Sequence, residues 1–133
     1  MDYIELLQKY NLKVTPQRLA IVELLNENTH MSVEGLYSSL QDMFPSISLA
    51  TIYKNIHAMN NKSLLLEVKI ADKKSVYELD KKEHYHAVCT KCNKIMDIYL
   101  DTSSLYAKAK AITNYDLKES SIVFNGTCEE CSA

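Results

Sequence analysis

Apolar positions in the first sixty residues recur at helical spacing, and beyond residue 60 the spacing shortens to β-prone runs. In "TPQRLAIVELLNEN" the residues Leu19, Ile21, Val22, Leu24 and Leu25 follow a helical period. Thr15 is positioned to cap this helix, and Pro16 suits its first turn, where a missing N–H costs nothing. "SVEGLYSSLQDMF" opens on a second cap, Ser32, with Val33, Leu36, Leu40 and Met43 as its stripe, and stops before Pro45. A further helix starts at Ser48 in "SISLATIYKNIHAMNNKSLL". Projected at about 100° per residue, Leu49, Ile52, Ile56 and Met59 share its core side. The opposite side carries Ala50, Thr51, Lys54 and Ala58, with Tyr53 on the flank.

"LLLEVKI" and "SVYEL", separated by the polar "ADKK", predict a β-hairpin. Helices followed by a hairpin are the element order of a winged helix-turn-helix. "LDKKEH" is charged and lacks apolar spacing, so it predicts a hinge. Beyond it, "YHAVC", "IMDIYL" and "KESSIVFNGTC" read as strands and "TSSLYAKAKAIT" as a helix. The expected class is α+β: a winged helix over residues 1–80, a hinge at 81–83, and a small α/β unit over 84–133. The second unit is short and poor in apolar residues, so it needs a staple, a partner or both.

Composition narrows the function. No apolar run approaches the roughly 20 residues of a membrane span, and "MDYIELLQKY" lacks the layout of a signal peptide, which predicts a cytoplasmic protein. Net charge is −2, so no global field draws the chain to nucleic acid. A DNA-binding role must therefore rest on a local basic face, on dimerisation, or on metal neutralising carboxylates. On the third helix, small residues permit close approach to a major groove, Thr51 and Tyr53 can touch base edges, and Lys54 can reach phosphate. Lys13 and Arg18 flank the start of the preceding long helix and can add backbone or minor-groove contacts. An ordinary amphipathic helix with a solvated face has the same composition.

The four cysteines form two C-x2-C pairs, Cys89–Cys92 and Cys128–Cys131. In a reducing cytosol such pairs hold metal more often than they form disulfides. Four thiolates suit tetrahedral zinc with no open position, a structural site. The pairs are expected to meet at the two ends of one small sheet. His84 and His86 stand two apart in a β-prone run, so they point to one face and need an ion of their own. Oxygen ligands are expected from elsewhere, with Asp97, Glu78 and His30 as candidates; spacing alone does not separate these from Glu67, Asp80 or Asp101. A mixed imidazole and carboxylate set suits Fe(II) or Mn(II).

"LKVTPQRLAI", "SISLATIYKNI", "YHAVCTKC" and "CEEC" resemble the ferric uptake regulator (Fur) superfamily over essentially the whole chain. The resemblance implies a dimeric, metal-dependent bacterial repressor whose winged helix binds operator DNA and whose C-terminal unit dimerises. It implies structural zinc on Cys89, Cys92, Cys128 and Cys131, and a regulatory metal on His30, Glu78, His84, His86 and Asp97. Lys13, Arg18, Tyr53 and Lys54 match or adjoin its DNA-contacting positions. The segment "EHYHAVC", Asp97, and the lack of histidine in "DLKESSIVFNGTC" are most like the peroxide-responsive (PerR) branch, in which a ligand histidine, here His30 or His84, is oxidised. Glu78 departs from that branch, which usually has Asp there, and is more like the iron-uptake branch.

Two other classes compete. A metalloenzyme could use His84, His86 and a carboxylate as a facial triad, but no substrate pocket stands out in a chain with only two glycines, so no catalysis and no small-molecule substrate are expected. A zinc-ribbon interaction module would leave the helix-rich first sixty residues unexplained.

Overall fold

The computed structural model describes residues 1–133 and divides into two compact units, Met1–Lys81 and Lys82–Ala133. The first holds α1 (Tyr3–Lys9), α2 (Pro16–Asn28), β1 (Met31–Ser32), α3 (Val33–Leu40), α4 (Leu49–Asn61), β2 (Leu65–Val68) and β3 (Val76–Leu79). Each helix begins where a side chain accepts from an otherwise orphaned backbone N–H. Asp2 accepts from Ile4 and Glu5, Thr15 from Arg18, Ser32 from Gly35 and Ser48 from Thr51. Leu7, Ile21, Leu25, Leu36, Leu40, Ile52 and Met59 are fully buried and knit the four helices into one apolar core.

Two positions depart from the predicted stripes. Met43 is exposed because α3 ends at Leu40 and the chain turns away before reaching it. Leu49 is also exposed: it is the first residue of α4, ahead of the turn whose Ile52 reaches the core. The hairpin forms as expected but gains a third strand, giving the antiparallel order β1-β3-β2. Two residues long, β1 was invisible to any periodicity.

The second unit holds β4 (Tyr85–Cys89), β5 (Ile95–Ile98), α5 (Ser103–Thr113), β6 (Val123–Gly126) and the short α6 (Glu129–Ser132). Its sheet runs β5-β4-β6, with β5 antiparallel and β6 parallel to the central strand. Among its residues only Tyr85, Val88 and Cys89 are buried apolar side chains, whereas Met96, Tyr99, Leu100, Leu105, Ile112, Tyr115 and Phe124 are exposed.

Candidate metal centres and DNA-facing surface

The cysteine pairs meet at one end of the sheet, not at its two ends. Because β6 runs parallel to β4 with Cys89 opposite Gly126, the chain leaves both strands on the same side. Asn93, in the left-handed region at φ 65°, folds the turn that returns its N–H to the Cys89 carbonyl at 2.8 Å. Across the sheet Thr90 N–H donates to Gly126 O at 2.8 Å, and Cys128 immediately precedes α6. The four Sγ atoms all lie within 4.8 Å of one another, and Cys92 and Cys128 sulfurs stand 3.8 Å apart. A tetrahedron with Zn–S bonds of about 2.3 Å has an edge of about 3.8 Å, so this cluster fits a closed zinc site. All four cysteines are free of disulfides.

Backbone amides prepare one thiolate here. The Cys128 and Cys92 N–H groups point at Cys89 Sγ from 3.3 and 3.5 Å and lower its pKa to about 6. Cys131 is pushed up to about 12, chiefly by hydrogen bonding with Cys128 and then Cys92 and Cys89. Metal-free, the cluster therefore retains thiol protons that an ion must displace.

The histidines form a different kind of site on the same strand. His86 lies directly across from Asp97 in the β4–β5 register, and His84 precedes β4 by one residue on the same face. The two rings meet edge to face with centroids 4.7 Å apart. Asp97 Oδ1 stands 3.8 Å from His84 Nε2 and 3.6 Å from His86 Nε2. Those distances exceed a hydrogen bond and approach the spacing of donors sharing one ion at about 2.1 Å. His84 Nδ1 contacts the Lys82 carbonyl at 2.7 Å. With the proton on Nδ1, the lone pair of Nε2 faces Asp97 as a metal-binding imidazole requires.

The first unit carries an analogous pair. The register Met31↔Tyr77 between β1 and β3 sets His30 opposite Glu78, and His30 Nε2 lies 2.8 Å from Glu78 Oε2. Glu78 is 1% exposed, and Lys81 Nζ stands 3.8 Å from the same oxygen. His30 is presented by a strained turn. Thr29 has φ 60° and ψ −57°, and the His30 N–H donates to Asn28 O at 2.7 Å, which makes Thr29 the centre of a γ-turn of positive φ. A β-branched residue in that conformation costs roughly 1–3 kcal/mol.

The other carboxylates that spacing left open are engaged elsewhere. Glu67 accepts from Ser75 Oγ at 2.7 Å, and Asp80 accepts from the Tyr10 hydroxyl at 3.2 Å. Asp101 accepts from the Ser103 hydroxyl and N–H, which hold its carboxyl below the usual range.

On α4, Tyr53 is half exposed and Lys54 is exposed, whereas Thr51 is only partly so, its hydroxyl 3.0 Å from Ser48 Oγ. Lys13 is exposed. Arg18 is not a free surface charge. Its Nε donates to Asn55 Oδ1 at 3.0 Å and its Nη1 to the Lys13 carbonyl at 3.0 Å, tying α2 to α4 and to the loop before it. Sequence reasoning missed that role, since Asn55 carries no positional signal. It also missed Lys74, on the hairpin loop, which pairs with Glu34 of α3 at 2.6 Å.

Residues 9–125 match the profile of the ferric uptake regulator family. The chain belongs to that family. It is 32% identical to the peroxide operon regulator of Bacillus subtilis (strain 168), over 98% of this chain and 92% of that protein. Among solved structures it resembles the Vibrio cholerae ferric uptake regulator (Fur), with 32% identity and a TM-score of 0.78, covering 96% of this chain and 100% of that one. It also resembles the Campylobacter jejuni peroxide stress regulator, with 32% identity and a TM-score of 0.73, covering 98% and 100%. Both kinds of regulator thus share this fold. No helix of this member is long and apolar enough to cross a membrane.

Proposed function

We propose that this chain is a cytoplasmic, homodimeric, metal-dependent transcriptional repressor that responds to peroxide. The observation that carries the reading is the coexistence of two chemically distinct kinds of donor set in a winged-helix chain of this family. One kind is an all-thiolate cluster with zinc geometry; the other is the cross-strand histidine–carboxylate pair, which occurs twice. Zinc on Cys89, Cys92, Cys128 and Cys131 holds the C-terminal unit together. A regulatory Fe(II) or Mn(II) is held jointly by His30 and Glu78 from the first unit and by His84, His86 and Asp97 from the second. Residues 81–83 act as the hinge between the winged helix and the dimerisation unit. Holding both units to one ion restricts that hinge and fixes the two recognition helices of the dimer at operator half-site spacing. Metal and DNA then strengthen each other's binding reciprocally.

Tyr53, Lys54 and Thr51 on α4, with Lys13, form the DNA-facing set. Arg18 contributes by fixing the loop that carries Lys13 and the flank of α4, in addition to its charge. With net charge −2, affinity depends on this local face and on metal offsetting Glu78 and Asp97.

Fe(II) held by these residues would activate peroxide beside the imidazoles: one peroxide oxygen would go to a ring carbon of His30 or His84 and the other would leave as water. An imidazole of His30 or His84 that gains an oxygen loses its basic nitrogen, the donor set opens, and DNA is released. The family likeness to the Bacillus subtilis peroxide operon regulator supports this branch. Glu78 supports the second reading, an iron-responsive uptake regulator, because its longer carboxylate changes what the donor set offers an ion.

Gel-shift assays on promoter fragments from its own genome, with and without Mn(II) or Fe(II), test the repressor reading. A metal-dependent shift is expected, and no shift on any fragment contradicts it. Peroxide treatment of the Fe(II)-loaded protein followed by peptide mass measurement separates the branches. A gain of one oxygen on the peptide carrying His30 or His84 is the peroxide result. Unmodified histidines with DNA binding intact is the iron-uptake result.

A further inference from the structure

Between the two histidines lies a tyrosine that points the other way. Tyr85 alternates with His84 and His86 along β4, so its ring enters the interior of the second unit, where it is 2% exposed. It is the largest buried side chain of that unit. A phenol offers one donor and two acceptor sites, and each has a partner here. The hydroxyl donates to Glu83 Oε1 at 3.2 Å and lies 3.0 Å from Thr102 Oγ1 and 3.1 Å from Ser120 Oγ. Tyr106 OH donates to Ser120 Oγ at 2.9 Å, so the protons can run in one direction, from Tyr106 through Ser120 and Tyr85 to Glu83.

The partners come from separated parts of the unit. Thr102 stands at the start of α5, where its side chain makes no cap bond to the helix; it is buried, with its hydroxyl against Tyr85. Ser120 belongs to the segment leading into β6. Glu83 directly precedes His84, whose Nδ1 is held by the Lys82 carbonyl. The hydroxyl of Tyr85 thereby ties the backbone on either side of His84 to α5 and to the approach of β6.

We propose that Tyr85 is a positioning residue for the His84–His86–Asp97 donor set: its hydroxyl network fixes the pitch of residues 83–86 so that both imidazoles face Asp97. The inference rests on the regulatory-metal reading above. It needs no contact between Tyr85 and the ion, because the ring lies on the opposite face of the strand. Loss of groups that orient metal ligands typically weakens metal binding by about 10–100-fold, and the same range is expected here.

The test uses the full-length, zinc-loaded protein and Mn(II) alone, without DNA, with free Mn(II) followed by electron paramagnetic resonance. Tyr85→Phe keeps the buried ring and deletes only the hydroxyl. It is expected to retain wild-type zinc and to bind Mn(II) at least about 10-fold more weakly. Thr102→Val combined with Ser120→Ala leaves the tyrosine in place and is expected to weaken Mn(II) in the same direction, so the proposal is tested even if Tyr85→Phe folds poorly. Tyr106→Phe removes only the outer end of the chain of hydroxyls and is expected to leave Mn(II) affinity unchanged. Lower thermal stability with unchanged Mn(II) affinity in both network variants overturns the positioning role and leaves a structural one. A wild-type protein that binds no Mn(II) overturns the regulatory-metal reading and this proposal with it.

Discussion

The two units solve the problem of stability in opposite ways. The first buries a continuous apolar cluster from Leu7 to Leu65, drawn from all four helices and the hairpin. The second buries Tyr85, Val88 and Cys89, and leaves Met96, Leu100, Leu105, Ile112 and Phe124 in solvent. Its buried polar set, His84, His86 and Thr102, is as large as its apolar one. A unit of this size with so little apolar burial needs a cross-link, a partner surface or both. The difference shows where regulation can act. An element held by hydrophobic burial is indifferent to metal, whereas one held by coordinated side chains responds to whatever changes its ligands.

Removing the zinc proposed for the four cysteines exposes the contrast most strongly. Structural zinc contributes an apparent 10–16 kcal/mol, roughly, to folding in small zinc domains. Cys128→Ser, or exhaustive chelation, is expected to abolish hydrogen-exchange protection in β4–β6 and to dissociate the dimer. Protection in α2–α4 should persist. Simultaneous loss in both units would mean that they fold as one and that the contrast is false.

The converse is a core truncation in the first unit. Leu36 is fully buried in the cluster, so Leu36→Ala should destabilise that unit by about 2–5 kcal/mol. Denaturant unfolding followed by site-specific probes should show α2–α4 melting earlier while zinc content stays at the wild-type level.

A smaller effect is expected at Thr29. Glycine adopts positive φ without a Cβ penalty, so Thr29→Gly relieves the γ-turn that presents His30. The relief outweighs the added freedom of the unfolded chain, giving a net gain of about 1 kcal/mol in the first unit. Thr29→Val keeps the β-branch and should gain nothing. Thermal melts of the metal-free proteins check both.

The mildest perturbation is a change of pH, read in zinc binding. Cys89, with a pKa of about 6, is a thiolate above that pH, while Cys131 holds its proton up to about 12. Zinc must displace protons still held between those limits, so its affinity rises with pH across the window. Proton release on zinc addition to chelated protein, measured in weak buffer, should be positive at neutral pH.

How far these features were legible in the chain depends on the range of the interaction behind them. The caps Thr15, Ser32 and Ser48 were readable because a cap is local, and so were the two cysteine pairs, which carry their spacing with them. Met43 and Leu49 misled because a stripe does not say where a helix stops. The meeting of the cysteines at one end of the sheet was not readable, since it depends on the parallel pairing of β6 with β4. The partners of the histidines were hidden for a similar reason. His86 finds Asp97, and His30 finds Glu78, through strand register. For the first unit that register is set by a two-residue strand. Arg18 likewise read only as a DNA-contacting cation, because Asn55, its partner, is distant in sequence. Resemblance to a known family supplied the ligand set of the histidines without its pairings, and strand register gives the pairs His86–Asp97 and His30–Glu78 a physical cause.

If neighbouring residues of β4 and its approach serve two sites with separate duties, closed for the cysteines and responsive for the histidines, one histidine substitution separates them. The most direct measurement is zinc content beside Mn(II)-dependent operator binding in His84→Ala. Zinc should equal wild type, and Mn(II)-dependent binding should be absent. Loss of zinc together with DNA binding, or Mn(II)-dependent binding that survives the substitution, would show that the two sites are not separate.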